Sequence, residues 1–492
     1  MIRMLVLLIA SNLLPAGYLP AADRPNIVML LADDQCKYSM GCYDTPSAKT
    51  PNLDQLARDG MVFDRHYDST AICMASRATI FTGMYEYKTG CNFESGHLLR
   101  DIWRQSYPML LKQAGYRIAF AGKFGVELID APGQKQGQLA AADFDSWGGG
   151  PGQTSYETHR NDSMKQYAEQ YPHSTLSYGA FARDFIKSAT SKDDTRPFCL
   201  SISFKAPHHP TTPDPRFDHV YQGATIEMPA NFGREHGSHF PLQSQAGRQF
   251  ERFESWHYND DYNRVMATYY QQIYAIDVVV GSIRQVLQEC GAAQNTVILY
   301  SSDNGFLCGS HGYGSKVLPY EESSCVPMIV YDPRHPSAGQ QQRCDALTCN
   351  ADIAATILAL ADQPIPSTMD GRSLIALLDA PDARIHEFVP LINVWGPRQV
   401  HSFSVVTNDY KYVYWPFGEE PYVPAAELYD MQRDRSELHN LIDSEVHQTA
   451  VRQMRSLYDL ALDHWISQGV TFHGYPRFAK IFDPEIPWSD KP

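Results

Sequence analysis

The chain has 492 residues, of which 43% are hydrophobic and 20% are charged, and its formal net charge is −15 at pH 7. This length exceeds one average domain and predicts one large domain with a smaller one beside it. The acidic balance argues against nucleic acid as a partner, and a polyanionic substrate would require a local basic pocket.

The first 22 residues are typical of a secretory signal peptide. Arg3 precedes an apolar run over residues 4–14, and small residues at 21–22 offer a cleavage site. The run is too short for a membrane-spanning helix, and no later segment supplies one. We therefore predict an exported protein, secreted or periplasmic, without a membrane span.

Export would permit disulfides among the ten cysteines. Two pairs are close enough in the sequence to bond, Cys36 with Cys42 and Cys344 with Cys349. Spacing alone leaves both pairings open.

Apolar runs and helix breakers alternate along most of the chain. Continuous apolar runs, typical of strands buried on both faces of a parallel sheet, lie at 26–31, 118–120, 198–204 and 296–300. Helices are predicted to begin near residue 50, to end at Gly115, and to cover 269–288. This alternation predicts an α/β sandwich with a large mixed, mainly parallel sheet flanked by helices.

The pattern changes near residue 385. Residues 403–406 and 410–415 are typical of short antiparallel strands, and 446–466 of one amphipathic helix. We therefore divide the mature chain into a catalytic domain and a small C-terminal α+β subdomain with an antiparallel sheet, at 23–384 and 385–492.

Two segments of the larger domain are rich in Gly, Pro, His and polar residues, namely 130–175 and 205–262. This composition predicts loops over one face of the domain. We expect such loops to decide which substrate is bound.

The run Cys73-Met74-Ala75-Ser76-Arg77 precedes a helix-like stretch closed by Gly83. A helix N-terminus offers free N–H groups and a positive dipole end, which attract sulfate or phosphate. Arg77 lies one turn later on the same face and can bind such an anion. The run therefore predicts a nucleophile facing an anion, and the alternative is an inert cysteine beside a surface arginine.

Acidic residues follow two of the predicted strands. Asp33 and Asp34 close the first strand, and Asp303 and Asn304 follow the strand at 296–300. Ligand sites in open α/β sheets form beyond the carboxyl ends of strands. Three carboxylates and an amide oxygen there predict an oxygen cage for Ca²⁺ or Mg²⁺, although either pair alone would be ordinary turn chemistry.

Basic residues also follow strand ends. Lys123, His208 and His209 each come shortly after an apolar strand, and a glycine-rich loop behind the second acidic pair carries His311 and Lys316. Each alone would be a solvated loop residue. Their shared placement predicts a convergent anion-binding pocket.

Together these motifs resemble the formylglycine-dependent sulfatases of the alkaline-phosphatase-like superfamily, in order over nearly the whole chain. The Cys-x-Ala-x-Arg signature matches residues 73–77, and the Gly-Lys and Pro-His-x-Pro motifs match 122–123 and 207–210. Ser-Asp-Asn-Gly, Tyr-Glu-Glu and Glu-Leu-Tyr-Asp match 302–305, 320–322 and 427–430.

The resemblance implies that Cys73 is oxidised to Cα-formylglycine by a formylglycine-generating enzyme or other maturase. The hydrated aldehyde would then be the nucleophile. The resemblance also implies a Ca²⁺ site whose ligands are Asp33, Asp34, residue 73, Asp303 and Asn304.

Further roles follow from the same resemblance. Arg77 would steady the nucleophile, and Lys123 and Lys316 would bind sulfate oxygens. His208 would protonate the leaving alcohol.

Two positions depart from the family pattern. Gly125 stands where the family usually has a histidine that assists the last step, so the base of that step is open. Among the nearby titratable residues we favour His311, because its loop begins at the metal ligands; the other candidates are His97, Glu127 and His209. Cys325 replaces an arginine that the family often has, outside the predicted chemistry.

We therefore expect an exported, Ca²⁺-dependent sulfatase that acts on sulfate esters of a sulfated carbohydrate. One alternative is a phosphate mono- or diester hydrolase of the same superfamily. Another is a non-catalytic binder of sulfated glycans, which the missing histidine would permit. The chemical state of residue 73 distinguishes the binder, because a binder needs no aldehyde.

Overall fold

The computed structural model describes residues 24–492, so the predicted signal peptide lies outside the described residues. The strands are β1 Asn26–Ala32, β2 Met61–Tyr67, β3 Leu98–Leu99, β4 Arg117–Lys123, β5 Leu128–Ile129, β6 Ser146–Gly150, β7 Phe198–Ser203, β8 Thr296–Ser302, β9 Met328–Tyr331, β10 Gln342–Cys349, β11 Val389–Asn393, β12 Ser402–Val406, β13 Tyr410–Trp415 and β14 Ala425–Asp430.

The helices are α1 Pro51–Asp59, α2 Cys73–Thr82, α3 Glu86–Thr89, α4 Arg100–Trp103, α5 Tyr107–Gln113, α6 Ser174–Ala189, α7 Leu242–Gln245, α8 Arg248–Ser255, α9 Tyr262–Glu289, α10 Glu321–Ser324, α11 Asp352–Leu360, α12 Ile375–Asp379, α13 Gln448–Gln468 and α14 Tyr475–Phe482. Within residues 24–492, none of them has the length and apolar character needed to cross a membrane.

Eight strands form one large sheet in the order β10-β2-β9-β8-β1-β7-β4-β6. β1 pairs in parallel with β7 and β8, and β4 pairs in parallel with β6 and β7. β9 runs antiparallel between β2 and β8. The mixed, mainly parallel sheet predicted from the sequence is therefore confirmed.

The residues of β1 show why this sheet is buried on both faces. Ile27, Met29 and Leu31 pack in one core with α2, α5 and α11, and the even-numbered residues pack in a second core with α1, α6 and α9. Side chains alternate along a strand, so a continuous apolar run requires cover on both sides. The sheet is therefore the middle layer of a helix-flanked sandwich.

A second sheet follows in the C-terminal part of the chain. Its strands pair antiparallel in the order β11-β12-β13-β14, and α13 and α14 pack on it in a separate core. The predicted antiparallel sheet is confirmed. The boundary between residues 384 and 385 stays a prediction.

The two segments predicted to be loops also contain regular structure. Residues 146–150 within the first segment form β6, the edge strand of the large sheet, although their sequence is Ser-Trp-Gly-Gly-Gly. Glycine has low strand propensity, so pairing with β4 decides this element. The second segment contains α7 and α8, and α9 begins at Tyr262 rather than at residue 269.

Neither of the two possible disulfides is present, and all ten cysteines are free. Cys344 and Cys349 both lie in β10, where a rise of about 3.3 Å per residue keeps them too far apart to bond. Cys36 packs in a core with residues of α9, whereas Cys42 packs against the core around α1. The question that spacing left open is therefore decided by the fold, in which closeness in sequence is not closeness in space.

Candidate active site

Cys73 is the first residue of α2, and this helix ends at Gly83, which adopts a left-handed φ of 67° and donates its N–H to the Thr79 carbonyl. The side chain of Cys73 is buried, with 2% exposure for the residue. Burial and the neighbouring Asp33 raise the pKa of its thiol to about 12. The unmodified residue is therefore a neutral thiol and a poor nucleophile.

The acidic residues meet because β1 and β8 are neighbouring parallel strands. Asp303 Oδ1 accepts from the Asp34 N–H at 3.2 Å, and Asn304 Nδ2 donates to Asp34 Oδ1 at 2.7 Å. Asp33 Oδ1 lies 3.5 Å from the Sγ atom of Cys73. Asp34 has a φ of 67°, a strained conformation for a residue other than glycine and one found often at functional sites.

Arg77 and Lys123 contact the same carboxylates. Arg77 Nε donates to Asp303 Oδ2 at 2.7 Å, and Lys123 Nζ lies 2.6 Å from Asp33 Oδ2. Arg77 Nη1 donates to the Lys123 carbonyl at 2.6 Å and to Ser203 Oγ. These bonds fix the guanidinium between the ends of β4, β7 and β8.

Lys316 reaches the cluster from the glycine-rich loop. Its Nζ atom donates to Asp34 Oδ1 and lies 2.7 Å from Cys73 Sγ. Burial would lower the pKa of Lys316, but Asp34 and Cys73 hold it above its usual value. The ammonium therefore stays charged beside the nucleophile position.

Burial and charge together set the electrostatics. Burial would raise the pKa of Asp33, but Lys123 and other nearby cations hold it well below its usual range. Burial and the neighbouring Asp33 raise the pKa of Asp303 to about 6. Three acidic and three basic side chains pair in what we call the strand-end cluster: Asp33, Asp34, Asp303, Arg77, Lys123 and Lys316.

His208 lies at the edge of this cluster, 3.8 Å from Asp34 Oδ2 through its Nε2 atom. Its Nδ1 atom is buried and has no hydrogen-bond partner among residues 24–492. Burial lowers the pKa of His208 to about 4, although Asp34 and Asp33 oppose this shift. The imidazole is therefore neutral unless a further negative charge approaches it.

The donor set fits a hard divalent cation. Ligand atoms of Asp33, Asp34, Cys73 and His208 lie within 4.8 Å of one another. Asn304 Oδ1 is buried and accepts no hydrogen bond from any described residue, so this oxygen is free to bind an ion. Carboxylate and amide oxygens are the ligands that Ca²⁺ prefers.

The sulfatase family model matches residues 25–363, well over half of the chain. The chain belongs to the sulfatase family. A second model, the C-terminal region of N-sulphoglucosamine sulphohydrolase, matches residues 309–461. The resemblance inferred from the motifs is confirmed, and this sulfatase is a sulfuric ester hydrolase.

Named relatives agree with this assignment. The N-acetylglucosamine-6-O-sulfatase of Bacteroides thetaiotaomicron is 25% identical, over 89% of this chain and 86% of the relative. The human N-acetylglucosamine-6-sulfatase is 28% identical, over 76% of this chain and 68% of the relative. A solved structure of a protein with its substrate D-glucosamine-2-N,6-O-disulfate has a TM-score of 0.72 and 23% identity, over 90% of this chain and 98% of that one.

The sulfatase does not bring His311 into the strand-end cluster. His311 Nε2 lies 3.0 Å from Asn231 Nδ2 and 3.7 Å from Glu322 Oε2, and its Nδ1 lies 3.1 Å from the His236 carbonyl oxygen. Within residues 24–492 it contacts neither the nucleophile position nor the lysine of its own loop. The loop turns at His311 itself, where φ is 55°, so our preferred base points elsewhere.

Gly125 leaves no gap for another base to fill. Its φ is 76°, and an added Cβ would lie 2.3 Å from Arg77 Cδ. A histidine at this position would displace the arginine that holds Asp303. In this sulfatase the space is therefore occupied by Arg77 itself.

The remaining candidates for the missing base are also engaged elsewhere. His97 Nε2 lies 3.7 Å from Glu127 Oε2, so these two pair with each other. The ring of His209 stacks on Trp256 with centroids 3.9 Å apart. The base of the last step stays unassigned.

Sequence reasoning missed several residues that lie near the cluster. Ser203 is the last residue of β7, and Lys205 follows this strand. Burial lowers the pKa of Lys205, and the neighbouring Asp33 only partly opposes this shift. Arg248 and Arg252 come from α8, inside a segment predicted to be a loop. Two features of the sequence could have indicated these residues: a lysine shortly after a buried strand, and two arginines four residues apart.

Proposed function

We propose that this sulfatase is exported and hydrolyses a sulfate ester of a saccharide, through formylglycine at position 73 and a bound Ca²⁺. The observation that carries the proposal is the place of Cys73, the first residue of a buried helix, between Asp33 and Lys316. The signal-like sequence of residues 1–22 supports export. The names of the relatives, which act on sulfated glucosamines, support a saccharide substrate.

When bound, the Ca²⁺ and the hydrated aldehyde supply an acidified hydroxyl at the sulfur atom. Asp33, Asp34, Asp303 and the free amide oxygen of Asn304 would hold the ion. Arg77 orients Asp303 and the start of α2 through its hydrogen bonds to Asp303 and Lys123.

Lys123 and Lys316 bind the outer oxygens of the sulfuryl group. Both amino groups are buried and held in place, so they stabilise negative charge that develops on these oxygens without reorganising water. Fixed positive charge is the main catalytic device for transfer of such groups, as it is for phosphoryl transfer.

His208 protonates the leaving alcohol. Its Nε2 atom faces the cluster, and 20% of its side chain is exposed, so it lies where the ester oxygen would leave. An anionic sulfate beside this ring favours the imidazolium form and raises its low resting pKa. The proton then moves from Nε2 to the ester oxygen as the bond to sulfur breaks.

The test is to produce the full chain with and without a formylglycine-generating enzyme. We expect the peptide that contains residue 73 to carry the aldehyde only in the first preparation, as measured by mass spectrometry. Only that preparation should release sulfate from N-acetylglucosamine-6-sulfate.

Two results would contradict the proposal. Full activity with unmodified Cys73 would exclude the aldehyde mechanism. Faster release of phosphate from N-acetylglucosamine-6-phosphate than of sulfate from the matched sulfate ester would favour the phosphoesterase alternative.

A further inference from the structure

Two arginines on one face of α8 are held by tryptophan rings. Arg248 and Arg252 are four residues apart and so neighbour each other on the helix surface. The guanidinium carbon of Arg248 lies 4.3 Å from the ring centroid of Trp395, and that of Arg252 lies 4.3 Å from the ring centroid of Trp256. Stacking fixes the plane of a guanidinium and leaves its N–H edge available.

The first of these pairs lies beside the nucleophile position. Trp395 follows β11 of the C-terminal sheet and packs against Ile72, Ala75 and Val317. Ile72 precedes residue 73 and Val317 follows the lysine that contacts it. The ring that supports Arg248 therefore forms part of the wall around the start of α2.

The second pair lies beside the proposed acid. Arg252 Nη1 donates to Ser315 Oγ at 2.8 Å, in the loop that carries the catalytic lysine. Trp256 stacks on His209, the neighbour of His208 in the sequence. Through these contacts α8 brings both guanidinium groups close to the strand-end cluster.

These two cations have no carboxylate partner. In the described part of the chain neither guanidinium forms an ion pair, whereas the nearby Arg234 pairs with Glu254 at 3.0 Å. Burial and, less strongly, the neighbouring Arg248 lower the pKa of Arg252 to about 10. In a chain with a net charge of −15, such a pair is an unusual local excess of positive charge.

A cavity of about 460 Å³ lies next to Arg248, between this arginine, Trp395 and Gly396. Glu94 also lines it, but its Oε1 atom accepts the Gly396 N–H at 3.0 Å. The cavity has room for part of a sugar ring and its substituents.

We propose that Arg248 and Arg252 form a subsite for a second anionic group of the saccharide whose sulfate ester lies at residue 73. This inference rests on the proposed function. The group is a planar or tetrahedral oxyanion, either a second sulfate on the same sugar or the carboxylate of an adjoining uronate, which a guanidinium edge binds through paired N–H···O bonds.

The test compares three substrates with the same 6-O-sulfate: N-acetylglucosamine-6-sulfate, glucosamine-2-N,6-O-disulfate, and a disaccharide that adds a uronate to the first. We expect a second anion to raise kcat/KM of the native enzyme, and Arg248→Ala or Arg252→Ala to lower this advantage about 10-fold to 100-fold. The larger substrate whose kcat/KM advantage falls in the arginine variants identifies the source of the anion. Arg264→Ala, which removes an exposed arginine of α9 paired with Asp261, is the matched control.

A measurement of saccharide binding tests the anion subsite separately from the proposed function. In a Cys73→Ala background, calorimetry should show tighter binding of a doubly anionic saccharide than of N-acetylglucosamine-6-sulfate, and Arg248→Ala should remove the difference. Equal binding, or an unchanged kcat/KM ratio in both arginine variants, would overturn the subsite while leaving the proposed function intact. Absence of sulfate release from all three substrates would instead overturn the saccharide part of the proposed function, and the binding comparison would still decide the subsite.

Discussion

Two of the sulfatase's clusters of buried charged residues lie in different parts of the fold. The strand-end cluster lies at the carboxyl ends of the large sheet. A second group, which we call the junction cluster, consists of Lys411 of β13 with Glu321 and Glu437, between the two sheets. Lys411 Nζ lies 3.3 Å from Glu321 Oε2 and 2.7 Å from Glu437 Oε1, and all three side chains are at most 1% exposed.

The two clusters balance their charges differently. The strand-end cluster pairs three acidic side chains with three basic ones, and it leaves Asn304 Oδ1 and His208 Nδ1 without partners among the described residues. The junction cluster has one lysine for two carboxylates, and burial raises the pKa of Glu437 to about 8, so a proton completes it. Buried charge alone therefore does not mark a catalytic site. The strand-end cluster differs in having an amide oxygen without a partner within residues 24–492, Asn304 Oδ1, and the partly exposed His208 at its edge.

The largest expected effect is on the nucleophile position. Cys73→Ala should lower sulfate release by about 10⁴-fold or more, because no other group can be converted to the aldehyde. The denaturation midpoint should change little, since removing one small side chain costs about 1 kcal/mol or less. A variant with measurable turnover, assayed after affinity purification free of wild-type enzyme, would remove residue 73 from the mechanism.

The second-largest effect is expected on calcium binding. Asp303→Asn keeps the size of the side chain but removes a negative charge, so calcium per chain and kcat should both fall, kcat by about 10³-fold. Metal analysis after gel filtration measures the amount of calcium per chain. Asp352→Asn is the matched control, because Asp352 is a buried carboxylate paired with His386 at 2.8 Å outside the cluster. Equal calcium loss in both variants would place the ion elsewhere.

A substitution in the junction cluster should lower the stability of the enzyme rather than its activity. Lys411→Met leaves the buried carboxyl groups of Glu321 and Glu437 without their cation and should lower the free energy of unfolding by about 3–5 kcal/mol. Urea denaturation measures this loss, and kcat of the folded enzyme should stay unchanged. The exposed Lys480→Met on α14 should alter neither quantity. A large fall in kcat for Lys411→Met at low temperature would show that the junction cluster takes part in catalysis.

A smaller effect is expected where Arg77 meets Gly125. Gly125→Ala places a Cβ at φ 76° and 2.3 Å from Arg77 Cδ, so it should cost about 2–4 kcal/mol and reduce activity. Gly133→Ala has a similar φ of 84° with no atom within 4 Å, and should cost only about 1 kcal/mol with full activity. Equal effects of both substitutions on activity would mean that the position of Arg77 is not critical.

The smallest effect concerns pH. The pKa of Glu437 is about 8 in the folded protein, above its ordinary value of 4.5, so the folded state keeps a proton that the unfolded chain releases. Stability should therefore fall as pH rises from 6 to 8, and Glu437→Gln should remove about 2 kcal/mol of that loss. Thermal denaturation across this range compares the variant with wild type. The exposed Glu445→Gln should follow the wild-type curve, and an identical curve for Glu437→Gln would mean that Glu437 is ionised at neutral pH.

Most of the strand-end cluster was predictable because of one geometric rule. Parallel strands that lie side by side end at the same edge, so residues that follow apolar runs meet there. Asp33 and Asp303 follow β1 and β8 in this way, Lys123 is the last residue of β4, and no knowledge of the loops was needed to group them. The amphipathic and alternating patterns likewise predicted the two sheets, since burial demands a matching period.

Contacts that depend on loop direction were not predictable. His311 and Lys316 lie five residues apart in one glycine-rich loop, yet only Lys316 reaches Asp34. Four residues of this loop other than glycine have positive φ, and such turns are selected by packing against distant segments rather than by local preference. For this reason the sequence did not reveal that His311 would lie beside Asn231 and Glu322.

The sequence by itself determined the family, the order of the buried strands and the residues that follow them, because apolar periodicity and short motifs are local properties. Only the tertiary structure decided that Arg77 fills the space at Gly125, that the glycine-rich β6 completes the sheet, and that α8 brings Arg248 toward Trp395. Each of these joins segments distant in the chain, and such contacts arise from packing of the whole fold.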